Sequence, residues 1–251
     1  MEKHKSGRRI FVESEKFKSI LVEKAKLIGI KITESQAEKF YTYMCLLLEW
    51  NEKMNLTAIT DPMEVIIKHF VDSMTISKEI ENEKKVIDIG TGAGFPGIPL
   101  KIVKPDISMT LLDSLNKRVT FLNAAIEALG LEDIEAVHGR TEELGKNKKY
   151  REKYDYATSR AVANLAVLSE YMLPMVKVGG KCICMKGANV EDEILDAKKA
   201  IHILGGKIEK VDEFLLADTD MKRNIIVIKK ENGTLGKYPR KAGTPAKEPL
   251  K

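Results

Sequence analysis

Twelve residues restrict what this chain can fold into more than any others: Val86-Ile87-Asp88-Ile89-Gly90-Thr91-Gly92-Ala93-Gly94-Phe95-Pro96-Gly97. A short β-branched run ends beside an acid, and a glycine-dense turn follows at once. Glycines allow positive φ and let the backbone approach a ligand more closely than any side chain permits. This is the opening strand and loop of a nucleotide-binding α/β unit. The rest of the chain has to supply the alternating strands and helices that such a unit needs.

From residue 85 onward it does. Val86–Ile89 reads as the first strand and Phe95–Val103 as a helix, with Pro96 and Pro99 tolerated only in or near the first turn. Met109–Leu112 reads as a second strand ending at Asp113. Ser114 is expected to cap a helix carrying Val119, Leu122, Ile126 and Leu129, with Gly130 at its C-terminus. Strands follow at Ile134–Val137, Tyr156–Thr158 and Lys181–Met185, separated by a basic loop at Lys146–Lys153 and a helix through Leu173. A helix runs from Glu191 to Leu204. Two apolar runs, Phe214–Leu216 and Ile225–Ile228, are joined by a short polar loop and predict an antiparallel pair. The order implies a doubly wound, seven-stranded, mainly parallel sheet.

The front of the chain is different. Thr33 and Gln36 fit a capping box, and Ala37, Phe40, Tyr41, Met44, Leu47 and Leu48 recur at helical spacing. Asp61 and Pro62 mark a second helix start. We therefore divide the chain into an N-terminal helical region (1–84), a ligand-binding core (85–231) and a basic tail (232–251). The tail, rich in proline and glycine, reads as extended.

At 251 residues the chain can bury roughly 75% of its unfolded surface, so no disulfide staple is needed. Cys45, Cys182 and Cys184 lack zinc-site spacing and read as buried apolar residues; no metal is expected. Apolar runs fall short of a membrane span and no signal-peptide core follows Met1, so a soluble cytoplasmic protein with no membrane partner is expected. The net charge of +5 is concentrated at the two ends. Basic ends on an acidic body suit a polyanion such as nucleic acid, or are simply solvated termini; charge alone does not choose.

The acids around the glycines sharpen the ligand. Asp113 lies about 20 residues beyond them, where an acid accepts hydrogen bonds from ribose hydroxyls. Asp88 precedes them. Its negative charge opposes a bound pyrophosphate and suits the cationic amino acid end of S-adenosylmethionine, so that donor is favoured over a dinucleotide. The acceptor is narrowed by absences. No Asn/Asp-Pro-Pro-Tyr motif follows the fourth strand, where Thr158-Ser159-Arg160-Ala161-Val162 stands instead. No Pro-Cys or Thr-Cys pair offers the covalent route to pyrimidine C5. A nitrogen that already owns a free lone pair, such as N7 of guanine, remains a candidate, and positioning alone could activate it.

Several motifs together resemble one family. They are Ile87 through Leu100, Leu111-Leu112-Asp113-Ser114, Lys117-Arg118, Thr158-Ser159-Arg160-Ala161 and Lys186-Gly187, with Asn55-Leu56-Thr57 and His69-Phe70-Val71-Asp72-Ser73 in the front helices and Tyr238 through Pro245 in the tail. This pattern is similar to the ribosomal RNA small subunit methyltransferase G family, also called glucose-inhibited division protein B. The resemblance implies a Rossmann-like methyltransferase fold and a bacterial enzyme that uses S-adenosylmethionine to make 7-methylguanosine in a loop of 16S rRNA. The partner is then 16S rRNA or the small ribosomal subunit. A methyltransferase of a small molecule or a protein is the alternative.

The resemblance implies that Gly90, Phe95, Thr141, Glu142 and Arg160 bind the donor; Asp113 joins them from its position in the sequence. Thr141 stands where valine or alanine is common. No general base is expected, and Arg160 and Lys186 would position the reactants. Arg118, Lys186, Asn55 and His69 are the candidate RNA contacts. Each has an ordinary reading beside the functional one: an ion pair for Arg160, a solvated lysine for Lys186, a charged helix face for Arg118, and a structural hydrogen bond for Asn55 and His69.

Overall fold

A computed structural model describes residues 13–160 and 162–250. Seven strands form one sheet: β1 (Lys85–Ile89), β2 (Ser108–Asp113), β3 (Ile134–His138), β4 (Tyr154–Arg160), β5 (Val176–Lys186), β6 (Gly206–Leu215) and β7 (Lys222–Lys230). Their spatial order is β3-β2-β1-β4-β5-β7-β6. Strands β1 to β5 pair in parallel, and β7 inserts antiparallel between β5 and β6. The order reverses between β1 and β4. That switch point leaves a crevice at the strands' carboxyl ends, where ligands bind in open α/β sheets.

The helices are α1 (Ser14–Leu27), α2 (Glu34–Met54), a helical segment over 62–79 that we call α3, α4 (Gly97–Val103), α5 (Asn116–Ala128), α6 (Thr141–Leu144), α7 (Leu165–Met172), α8 (Glu191–Ile203) and the single turn α9 (Thr244–Lys247). Helix α3 contains a π-helical stretch, Val65–Val71. The Thr33 capping box forms as the sequence predicts, and Asp61 accepts from the N–H groups of Met63 and Glu64. Side chains alternate across a strand, and this sorts two apolar layers. Val86, Leu111, Ile183, Ile225 and Val227 face the N-terminal helices together with Phe40, Tyr43, Phe70 and Phe121. Ile87, Leu112, Cys182, Cys184 and Ile226 face α7 and α8. The helices of residues 14–79 thus share one face of the sheet with α4 and α5.

Four local expectations need correction. Ser114 does not cap α5; Asp113 does the local work, its Oδ1 accepting from the N–H of Leu115. Helix α4 begins at Gly97 rather than Phe95, because residues 91–96 are spent on the loop. Cys45 is exposed, while Cys182 and Cys184 are buried. The segment after 231 does not run free. Arg240 pairs bidentately with the fully buried Glu170, Arg151 donates to the carbonyls of Gly145, Thr234 and Tyr238, and Tyr238 is buried against the α7 side. Part of the basic N-terminal run, residues 1–12, lies outside the described residues, as does Ala161.

Candidate active site

The glycine loop is held from three sides. The N–H groups of Gly90 and Thr91 donate to the Leu112 carbonyl at 2.9 and 3.1 Å, tying the loop to β2. Asp88 anchors it from beneath. Its Oδ2 accepts from the Thr91 hydroxyl (2.6 Å) and the Gly97 N–H (2.9 Å), and its Oδ1 from the Thr158 hydroxyl (3.2 Å). Burial outweighs these donors and pushes the Asp88 carboxyl up to about 6. This corrects the sequence-based role for Asp88: its carboxylate clamps the loop from inside and does not line the cleft above.

Asp113 closes the third side. Its Oδ2 accepts from the Gly92 N–H at 2.9 Å and from Arg118 Nη1 at 3.4 Å. Gly92 has φ of +63°, and a Cβ there would meet nothing within 4 Å, so its Cα side faces open space. The requirement at Gly92 is backbone conformation and an unobstructed approach. Gly97 differs: a Cβ would sit 2.2 Å from Leu111, so helix and strand pack through it.

Above the loop lies a cleft of about 420 Å³ at the carboxyl ends of β1, β2 and β4. Its lining includes Gly90, Gly92, Phe95, Asp113, Arg118 and Arg160, and on the α3 side Thr57 and His69. A cavity of similar size between Lys85, Tyr150 and Tyr154 sits at the strands' amino ends, away from the switch point.

One wall is a stack. The His69 ring lies on Phe95 with centroids 4.4 Å apart and 17° between planes, and the Arg160 guanidinium sits 5.0 Å over the same Phe95 ring. Arg160 donates to the Lys68 carbonyl (3.1 Å), to Asp72 Oδ2 (3.0 Å) and to His69 Nδ1 (3.3 Å). Asp72 is buried and takes a second guanidinium, Arg223 on β7, at 2.9 Å. The ordinary reading of Arg160, an ion pair, is thus present together with a place in the cleft. Burial first, and then the charge of Arg160, lower the His69 imidazole to about 4, so the ring is neutral at pH 7.

The other sequence candidates are placed less centrally. Thr141 and Glu142 begin α6, whose approach is tied to β2 by the Gly139 N–H donating to the Asp113 carbonyl. The Glu142 carboxylate accepts from the Gly243 N–H of the folded tail at 2.9 Å, so its side chain holds the tail. The Lys186 ammonium is bonded to the Ala163 carbonyl and to Glu193, away from the cleft lining. Asn55 is exposed and ends α2 in the left-handed conformation, φ +49°. Arg118 reaches the cleft edge. Thr57, Asp72 and Arg223 were not among the site candidates. The first two stand in motifs the sequence displays; Arg223 is brought in only by the β7 hairpin.

The donor set fits S-adenosylmethionine. Asp113 Oδ1 keeps one lone pair beyond the one that Leu115 engages, and the loop presents open backbone at Gly92. Among the described residues no cluster of His, Cys, Asp or Glu could hold a metal. Sheet order, switch-point cleft and glycine loop with its following acid define the class: an S-adenosylmethionine-dependent methyltransferase of Rossmann-like fold. A solved SAM-dependent methyltransferase from Aquifex aeolicus shares this fold, with a TM-score of 0.52 and 17% identity over 69% of this chain and 96% of that one.

Sequence relatives are more specific. The family model described as rRNA small subunit methyltransferase G matches residues 36–226. Ribosomal RNA small subunit methyltransferase G of Acetivibrio thermocellus is 55% identical, the match covering 94% of this chain and 97% of that one. Its namesake from an Exiguobacterium strain is 53% identical, covering 92% and 98%. The chain belongs to the rRNA small subunit methyltransferase G family. No helix among the described residues is long and apolar enough to cross a membrane.

Proposed function

We propose that this protein methylates N7 of a guanine in a loop of 16S ribosomal RNA and works in the cytoplasm, where that RNA is. When bound, S-adenosylmethionine supplies a methyl group on a sulfonium. Asp113, Gly90 and the backbone at Thr141–Glu142 hold and orient the donor; Phe95 and Arg160 close its pocket. The carrying observation is the junction of the two halves. The ribose-side acid Asp113 at the end of β2 and the Phe95–His69–Arg160 wall, drawn from the glycine loop, α3 and β4, line one cleft.

The wall also matches the chemistry. N7 of guanine attacks with its own lone pair, so no proton has to leave. His69 is neutral at pH 7 but its Nδ1 is engaged by Arg160, which leaves it no free lone pair to act as a base. Catalysis is then positioning, for which orientation of reactants supplies roughly 7–11 kcal/mol. An unstacked base in a loop can enter such an open cleft, whereas bases within an A-form helix cannot. Arg118 at the cleft edge and the basic ends would contact phosphates, making binding strongly salt-dependent.

The test is incubation with labelled donor and small subunits or rRNA from cells lacking the enzyme, followed by mass mapping of modified nucleotides. Label on N7 of one guanine is the expected result. Label on another atom, or transfer only to a small molecule or protein, would overturn the proposal.

A further inference from the structure

Thr57 lines the cleft on the α3 side, across from the glycine loop's acid Asp113, and the directions of its hydrogen bonds fix what its hydroxyl can do. A guanidinium has donors and no acceptor. The contact of Arg160 Nη2 with His69 Nδ1, 3.3 Å, therefore makes Nδ1 the acceptor. The ring is neutral, so its one proton is on Nε2. That N–H donates to Thr57 Oγ1 at 2.8 Å. The Ile59 N–H donates to the same oxygen at 3.0 Å. A hydroxyl oxygen has two lone pairs, and both are now filled. Its own hydrogen remains, with no acceptor among the described residues, at the wall of an open cleft. The Thr57 backbone is fixed as well, its N–H donating to Asn51 Oδ1 at 2.8 Å. The hydroxyl is a rigid donor that cannot accept.

We propose that Thr57 is a specificity-determining residue, donating its hydroxyl hydrogen to O6 of the guanine whose N7 receives the methyl group. The inference rests on the N7 reading above. Guanine presents N7 and O6 side by side as acceptors, whereas adenine presents N7 beside an N6 amino donor. A hydroxyl that can only donate accommodates the first and opposes the second. The chain Arg160 to His69 to Thr57 sets that polarity, each group donating to the next. Lys186, a sequence-based candidate for positioning the reactants and contacting RNA, is committed to Glu193 and the Ala163 carbonyl; Thr57 is left to meet O6.

The experiment is a cycle of protein and base changes under single-turnover conditions. The substrate is an rRNA fragment in which wild-type methylation of the target guanine at N7 has first been mapped. A second fragment carries 2-aminopurine there, which keeps N7 and lacks O6. Wild type, Thr57→Val and Thr57→Ser are assayed on both, and donor affinity is measured by calorimetry. The preference for guanine over 2-aminopurine is expected to shrink about tenfold or more in Thr57→Val, the loss of one buried hydrogen bond. Thr57→Ser should keep the preference, and donor affinity should stay unchanged in both variants. Thr57→Ala runs the same cycle if valine disturbs the cleft. An equal preference in wild type and Thr57→Val, or a loss confined to donor affinity, overturns the inference alone. Failure of the wild type to label N7 of any guanine removes the N7 reading and this inference with it.

Discussion

Asp88→Asn is expected to stabilise this protein at neutral pH, although Asp88 is fully buried and accepts three hydrogen bonds. The amide can reproduce the geometry. Its oxygen can take the donors from Thr91 and Gly97, and its nitrogen can face Thr158 Oγ1, whose hydroxyl rotates to accept. What the change removes is a buried charge. The carboxyl is pushed up from 3.8 to about 6, and a displacement of that size corresponds to ~3 kcal/mol against the ionised form. The sign follows from proton uptake. Between pH 4 and 6 the folded wild type binds more protons at Asp88 than the unfolded chain, so its stability falls as pH rises through that window. Asparagine has no such slope. The variant should gain about 1–3 kcal/mol over wild type at pH 7.5, shrinking to nothing near pH 4. Thermal melts across that range read it, at roughly 2–4 °C per kcal/mol for a chain of this size. Donor affinity, measured by calorimetry at pH 7.5, should change by less than about threefold, because the carboxylate faces the loop's interior; a direct contact with the donor's ammonium would be worth ~1.5–3 kcal/mol. A pH-independent stability difference, a loss of stability at pH 7.5, or a collapse of donor affinity would refute the reasoning.

Three further outcomes are expected. His69 acts in the opposite sense: its folded value of about 4 lies below the ordinary 6.5, so up to ~3 kcal/mol of stability is lost as pH falls from 6.5 to 4. In the Asp88→Asn background that acid loss is no longer offset, and its melting curve should fall more steeply below pH 6.5 than that of the wild type. Arg160→Ala should reduce turnover or donor affinity severely and leave the fold intact, because Arg223 still pairs with Asp72; wild-type kinetics in that variant would remove Arg160 from the site. Arg240→Ala leaves the buried Glu170 carboxylate without its guanidinium and should cost about 3–5 kcal/mol; the double variant with Glu170→Gln should cost less than Arg240→Ala alone, which denaturant titration can check.

Much of this fold was legible because it depends on local pattern. Strand and helix alternation, the Thr33 capping box, the Asp61 cap and the glycine loop are each written within a dozen residues. Asp113 could be placed at the cleft because its spacing from the glycines follows from one strand-helix-strand unit. Motif resemblance carried the family, and relatives more than half identical agree. Other assignments failed at the point where direction matters. Asp88 has the same position in the sequence whether it faces the cleft or the loop's interior. Only the packing of Thr91, Gly97 and Thr158 around it turns it inward. The tail's composition suggested an extended segment, but Glu170 and Glu142 bind it from α7 and α6, and no local pattern announces partners 70 to 100 residues away.

The sequence by itself determined the sheet, the loop and the family, because these rest on periodicity, turn chemistry and motif spacing. Tertiary structure alone decided the direction of the hydrogen bonds. The relay from Arg160 through His69 to Thr57 joins β4, α3 and the loop after α2, and its polarity exists only once those three elements meet. A buried imidazole made neutral, beside a group that can only donate, leaves the hydroxyl a single option, and that option faces the cleft.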